Sequence, residues 1–160
     1  MPLYVYVYIR STYLLGQLFC TIIVMDMTLF LKLYGLSFIS LIGLDLIWLV
    51  KIAPKIYKSN IGHLMSDNPN LLSAGLFYVI YIIGLVVFVV QPAYEKSSVF
   101  HSTLYGALFG FVAYSTFDLT SMAVFKNWPL KITVIDLLWG TILTASVSTL
   151  ATYMAIRFIK

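Results

Sequence analysis

Three aspartates, Asp45, Asp118 and Asp136, sit inside or at the edge of long apolar runs, each a turn or two from a lysine that ends its run. A carboxylate in such surroundings binds a cation, carries a proton or pairs with a cationic side chain, and one left unpartnered is expensive. Asp45 and Asp136 each begin a D-L-x-W motif, DLIW and DLLW. An i to i+3 step puts Trp48 and Trp139 on the same helix face as their aspartates, where indole offers one donor and a face that stacks on cations. Lys126, Trp128 and Lys131 surround the NWPLK turn between Asp118 and Asp136. The candidate polar cluster is therefore Asp45, Trp48, Asp118, Lys126, Trp128, Lys131, Asp136 and Trp139. Two readings compete for it: a ligand, ion or proton site, or a scaffold in which the aspartates pair with lysines or indoles and the tryptophans anchor the bundle.

Other chemistry is poorly served. No CxxC, HExxH, GxSxG or glycine-rich phosphate loop is present, so no catalytic residue is assigned. His63 falls in the first connection and His101 at the entry to the third apolar run, so four spans would put them on opposite membrane faces, unable to share a metal. Cys20 is the only cysteine, which excludes an internal disulfide and any multi-cysteine metal site. Tyr, Phe and Trp make up 16% of the chain; without a porphyrin-ligating histidine inside a span they read as packing and anchoring residues, and no cofactor is expected. The net charge of +4 comes mostly from lysines at the ends of apolar runs, which argues against nucleic acid as a partner and for the lipid bilayer.

The elements that must position the cluster follow from hydropathy. A mean hydropathy of +0.97 and 61% hydrophobic residues exceed what a small soluble domain sustains. Residues 71–90 form a run of 20 without charge, about 30 Å as a helix, the thickness of the hydrocarbon core. Residues 33–50, 99–117 and 132–156 obey the same logic. Runs such as YVIYIIGLVVFVV do not alternate, which disfavours a transmembrane barrel. The expected fold is all-α: a polytopic membrane four-helix bundle over residues 27–160.

Residues 1–26 form an apolar extension. YVYVYIR alternates, Arg10 interrupts it, and the 15 residues from Ser11 to Met25 are short for a span and unlike a signal peptide. An extra hydrophobic or interfacial helix, or a start codon assigned too early, are the two readings. Farther on, Pro54 is expected to limit the first span, with residues 51–70 as a loop. QP opens a second loop over 91–98, and a third covers 120–131. Loops one and three then share one membrane side, and the second loop lies with the chain ends on the other. Counts of basic residues on the two sides nearly match, with a lean towards cytoplasmic placement of loops one and three. On this topology Asp45, Asp118 and Asp136 reach one membrane level, about one to two turns beneath a lysine-rich face.

Close packing is signalled around the cluster. Gly106 and Gly110 form a GxxxG pair, and Gly140, Thr144 and Ser148 a small-residue ridge at four-residue spacing. Thr141, Thr144, Ser148 and Thr152 lay hydroxyls along one stripe, either a polar path or groups bonded to their own helix.

Taken together, DLIWL with GHL, FVVQPA, and YGALFGFVAYSTFDLTSMAVFKNWPLKITVIDLLWGT closely resemble the bacterial family of small predicted membrane proteins known as domain of unknown function 2177. The resemblance runs from about Lys32 to the C-terminal end, with WPLK to DLLWG its most specific part. It implies a four-span protein of the inner, plasma membrane and no particular activity. The leading expectation is a binding or transport-type protein for a cation, a proton or a small amine-bearing molecule, as a homo-oligomer if it transports. The alternative is a structural or accessory subunit docked against a partner membrane protein. An integral-membrane enzyme acting on lipid comes third, supported only by paired acids near the interface.

Overall fold

The computed structural model describes residues 26–160, so the expectations for the N-terminal extension lie outside the described residues except at Asp26. The chain divides into two compact units, Met1–Leu31 and Lys32–Lys160, and the second carries the candidate site and the packing of the later spans. Among the described residues every regular element is helical, and four helices are long and apolar enough to cross a membrane: Met27–Leu64, Leu71–Glu95, Val99–Val124 and Leu130–Phe158.

Their starts are set by local chemistry. Asp26 Oδ1 accepts the Thr28 amide at 2.9 Å, Asn70 Oδ1 that of Ser73 at 3.1 Å, and Ser98 Oγ that of His101 at 3.2 Å. Each satisfies an amide that has no partner within the first helical turn. Pro129 precedes the fourth span, where its missing N–H costs nothing.

The first two spans run past the boundaries that proline suggests. The first is α-helical over Met27–Ile47, π-helical over Trp48–Ile52, α-helical again over Ala53–Ile61, and closes with a 3₁₀ turn at Gly62–Leu64. The second repeats the device: α-helix Leu71–Leu85, π-helix Val86–Val90, then α-helix Gln91–Glu95. Pro54 and Pro92 each sit in the first turn of the helix that follows the π segment. A wider i to i+5 turn absorbs the hydrogen bond that proline cannot donate, so the chain stays helical instead of stopping. The third span likewise continues past Phe117 to Val124, because no glycine or proline intervenes and Leu119 and Val124 remain on the outer surface. The expected loops therefore shrink to residues 65–70, 96–98 and 125–129.

The third and fourth spans make the most extensive pairing, and the glycines explain it. A Cβ on Gly106 would run into the Ser148 side chain and come within 3.0 Å of the Thr144 carbonyl; one on Gly110 would strike the Gly140 carbonyl and Thr144. A Cβ on Gly140 would enter the Tyr114 ring. Hydroxyls stitch the same seam: Ser102 Oγ donates to the Ser148 carbonyl at 2.8 Å, Ser148 Oγ to the Ser102 carbonyl at 3.0 Å, and Ser102 pairs with Thr152 at 2.7 Å. With Thr141 and Thr144 also bonded to the carbonyls of Leu137 and Gly140, the hydroxyls of the stripe bond to their own helix and across the seam.

The second span joins this pair through its later half, where Val86, Val90 and Ala93 are fully buried. Its first turns diverge: Leu71 and Leu72 are 79% and 83% exposed, a surface for hydrocarbon. Helix Met27–Ile47 makes no comparably extensive backbone pairing, and the first span meets the fourth through Ala53–Ile61. The bundle is thus tight at the end carrying residues 96–98 and open at the end carrying the other two connections.

Candidate functional site

Where the spans splay apart, a cavity of about 420 Å³ opens, and all four contribute to its wall: Asp45, Trp48, Leu49 and Tyr57; Phe77, Tyr78 and Tyr81; Ala113, Tyr114, Phe117 and Asp118; Asp136 and Trp139. The three aspartates lie at 6%, 0% and 6% exposure, so the topology brings them to one chamber away from bulk water.

Two of the carboxylates are held by tyrosine. The Tyr78 hydroxyl donates to Asp45 Oδ2 at 2.5 Å, and the Tyr57 hydroxyl to Asp136 Oδ1 at 2.5 Å. Asp118 differs: both of its oxygens are buried and accept no hydrogen bond. The Trp139 indole N–H is buried without an acceptor in the same way. Tyr81 closes one wall, its hydroxyl paired with Thr144 Oγ1 at 2.5 Å and its ring edge-on to Phe109 at 5.5 Å.

The two D-L-x-W motifs meet here. Trp48 and Trp139 stack face to face, centroids 4.3 Å apart and planes within 10°. Each indole shares the helix face of its own aspartate, and the stacked pair lines the cavity between the first and fourth spans.

The lysines do not come in. Lys126 and Lys131 are exposed, and among the described residues no basic side chain forms an ion pair with Asp45, Asp118 or Asp136. Their flexible stems carry the ammonium groups outward to water or headgroups, a far cheaper position than a dry chamber. Trp128 also stays outside: its indole donates to Thr133 Oγ1 at 3.1 Å, and its ring packs 6.0 Å from Phe117 and 6.0 Å from Phe125, backing the cavity wall. Asp–Lys pairing, one part of the scaffold reading, is not seen among the described residues.

Sequence reasoning missed the tyrosines Tyr57, Tyr78, Tyr81 and Tyr114. Tyr114 precedes Asp118 by four residues and Tyr78 precedes Tyr81 by three, spacings that share a face and were open to reading. Tyr57 was not. In an unbroken α-helix it would sit about 120° round from Asp45, whereas the one-residue insertion of a π turn cuts that to about 20°. The π segment Trp48–Ile52 delivers Tyr57 to Asp136.

With that geometry in place, comparison with known families adds one decisive match. The family model described as "Predicted membrane protein (DUF2177)" matches residues 30–153. The chain belongs to this family. No curated protein and no solved structure shows a significant match to it. Membership and four apolar helices establish an integral membrane protein in contact with the bilayer, from a family of unknown function.

Chemically, the chamber combines acceptors, aromatic faces and low dielectric. Among the described residues no three of His, Cys, Asp and Glu come close enough to hold one metal ion. Its carboxylates are spread over a shared wall, suited to protons or to a cation larger than a bare ion.

Proposed function

We propose that this DUF2177 member is a cation- or proton-binding membrane protein of transport type, acting in the plasma membrane as a homo-oligomer, with Asp45, Asp118 and Asp136 as its binding groups. One observation carries the reading: Asp118 is fully buried on the wall of a cavity, and neither of its oxygens has a partner. A scaffold built on buried polar groups satisfies them, because an unmet acceptor costs about 1–3 kcal/mol and a charged one more. Three carboxylates with no basic partner among the described residues gain most from a mobile positive charge, whether a proton or a ligand.

The test is thermal unfolding of the purified protein in detergent, scanned against pH, sodium, potassium and small amines. A ligand at a hundred times its Kd adds about 2.7 kcal/mol to stability. At least one condition is expected to raise Tm in the wild type and to lose that effect in Asp118→Asn, with the unliganded variant as stable as the wild type or more so. A wild type unmoved by every condition would defeat the proposal and leave the accessory-subunit reading in its place.

A further inference from the structure

Building on the cation reading above, we infer that the ligand is an amphiphilic amine: a primary or secondary alkylammonium whose head occupies the carboxylate cavity and whose hydrocarbon chain lies in a groove facing the bilayer.

The head group is specified by the wall. Aromatic faces attract a cation through their quadrupoles, and the stacked Trp48 and Trp139 with Tyr81 and Tyr114 surround the chamber with such rings. A chamber of about 420 Å³ is in the range of organic-ligand sites and far larger than a bare ion needs. The unpartnered oxygens of Asp118 require a donor, which a primary or secondary ammonium carries and a quaternary ammonium lacks.

The chain is specified by a second, independent feature. A groove of about 500 Å³ runs between the first and second spans, walled by Phe38, Ile42, Leu72, Gly75 and Leu76. Tyr78 lines both this groove and the cavity, and its hydroxyl bonds Asp45 at 2.5 Å. Its ring is therefore the partition between the hydrocarbon-facing groove and the carboxylates. An amine arriving from the membrane would displace the Tyr78 hydroxyl from Asp45 and leave its tail behind in the groove. Long-chain amines and aminophospholipid headgroups share this chemistry.

The experiment uses the full chain in phosphatidylcholine nanodiscs, titrated with dodecylamine, dodecyltrimethylammonium, dodecanol and butylamine at matched membrane content. Tm is one readout; tryptophan fluorescence in a Trp128→Phe background, which leaves Trp48 and Trp139, is the other. Dodecylamine is expected to raise Tm and perturb the fluorescence, and the other three to do neither at the same concentration. Asp118→Asn should abolish the response. Gly75→Leu places a side chain in the groove from a position whose Cβ meets nothing within 4 Å, and should weaken dodecylamine about tenfold or more while sparing any response to acid. Discs containing phosphatidylethanolamine identify the source: a higher resting Tm with a diminished dodecylamine shift assigns the site to the lipid headgroup, and unchanged behaviour assigns it to free amines. If dodecylamine acts no better than dodecyltrimethylammonium or butylamine while protons or sodium still shift Tm, the amphiphile inference falls and the cation reading survives. If nothing shifts Tm, both fall.

Discussion

The Tyr57 hydroxyl reaches Oδ1 of Asp136 at 2.5 Å across 79 residues of sequence, tying the far end of the first span to the start of the fourth. Among the described residues this bond joins the Trp48–Trp139 stack in linking those spans, whose backbones pair through Ala53–Ile61.

Removing the Tyr57 hydroxyl reports the charge of its partner. Tyr57→Phe is expected to cost about 1.5–3 kcal/mol if Asp136 is ionised and about 0.5–1.5 kcal/mol if it is neutral. Chemical unfolding of wild type and variant in detergent, repeated from acid to neutral pH, measures the difference. A variant as stable as the wild type throughout would show that the bond does not hold the spans together.

The glycines of the third and fourth spans should tolerate nothing larger. Gly110→Ala drives a methyl group into the Gly140 carbonyl and Thr144, and is expected to lower stability by about 1–3 kcal/mol. Gly43→Ala in the first span meets nothing within 4 Å and should raise it by about 0.5–1 kcal/mol, the usual helix preference for alanine. Equal Tm changes in the two variants would contradict the close seam between the third and fourth spans.

Topology is open to direct labelling. In a Cys20→Ser background, cysteines at Ser59 and Lys126, both exposed, should react with a membrane-impermeant maleimide from one side, and a cysteine at exposed Ser97 from the other. Reaction of Ser59→Cys and Lys126→Cys from opposite sides would separate the aspartates and remove the basis of a common chamber.

Much of this was legible in the chain. Four apolar runs announce four spans because backbone in hydrocarbon must satisfy its own amides, and runs that do not alternate do so as helices rather than as a barrel. The small residues Gly106, Gly110, Gly140, Thr144 and Ser148 announce the tight seam because only they let helices approach so closely. Helical periodicity put Trp48 beside Asp45 and Trp139 beside Asp136. What the sequence concealed arises from departures from that periodicity or from long side chains. Pro54 reads as a stop, since nothing local shows that a π turn will accommodate it. Lys126 and Lys131 read as partners by proximity, but their stems are long enough to choose the interface instead. The unmet oxygens of Asp118 depend on how four helices diverge, a tertiary property with no local signature.

The π segment Trp48–Ile52 makes rotational phase an asset that can be lost without losing any chemistry. Converting that turn to α-helix at unchanged length would swing everything beyond it by about 100°, whereas deleting one of the residues Leu49 to Ile52 would let an ordinary α-helix keep the same phase. In the first case every aspartate, tyrosine and tryptophan of the chamber would still be encoded, yet Tyr57 would point away from Asp136. Within this family, a chain one residue shorter between Asp45 and Tyr57 should therefore keep the site and lack the π turn.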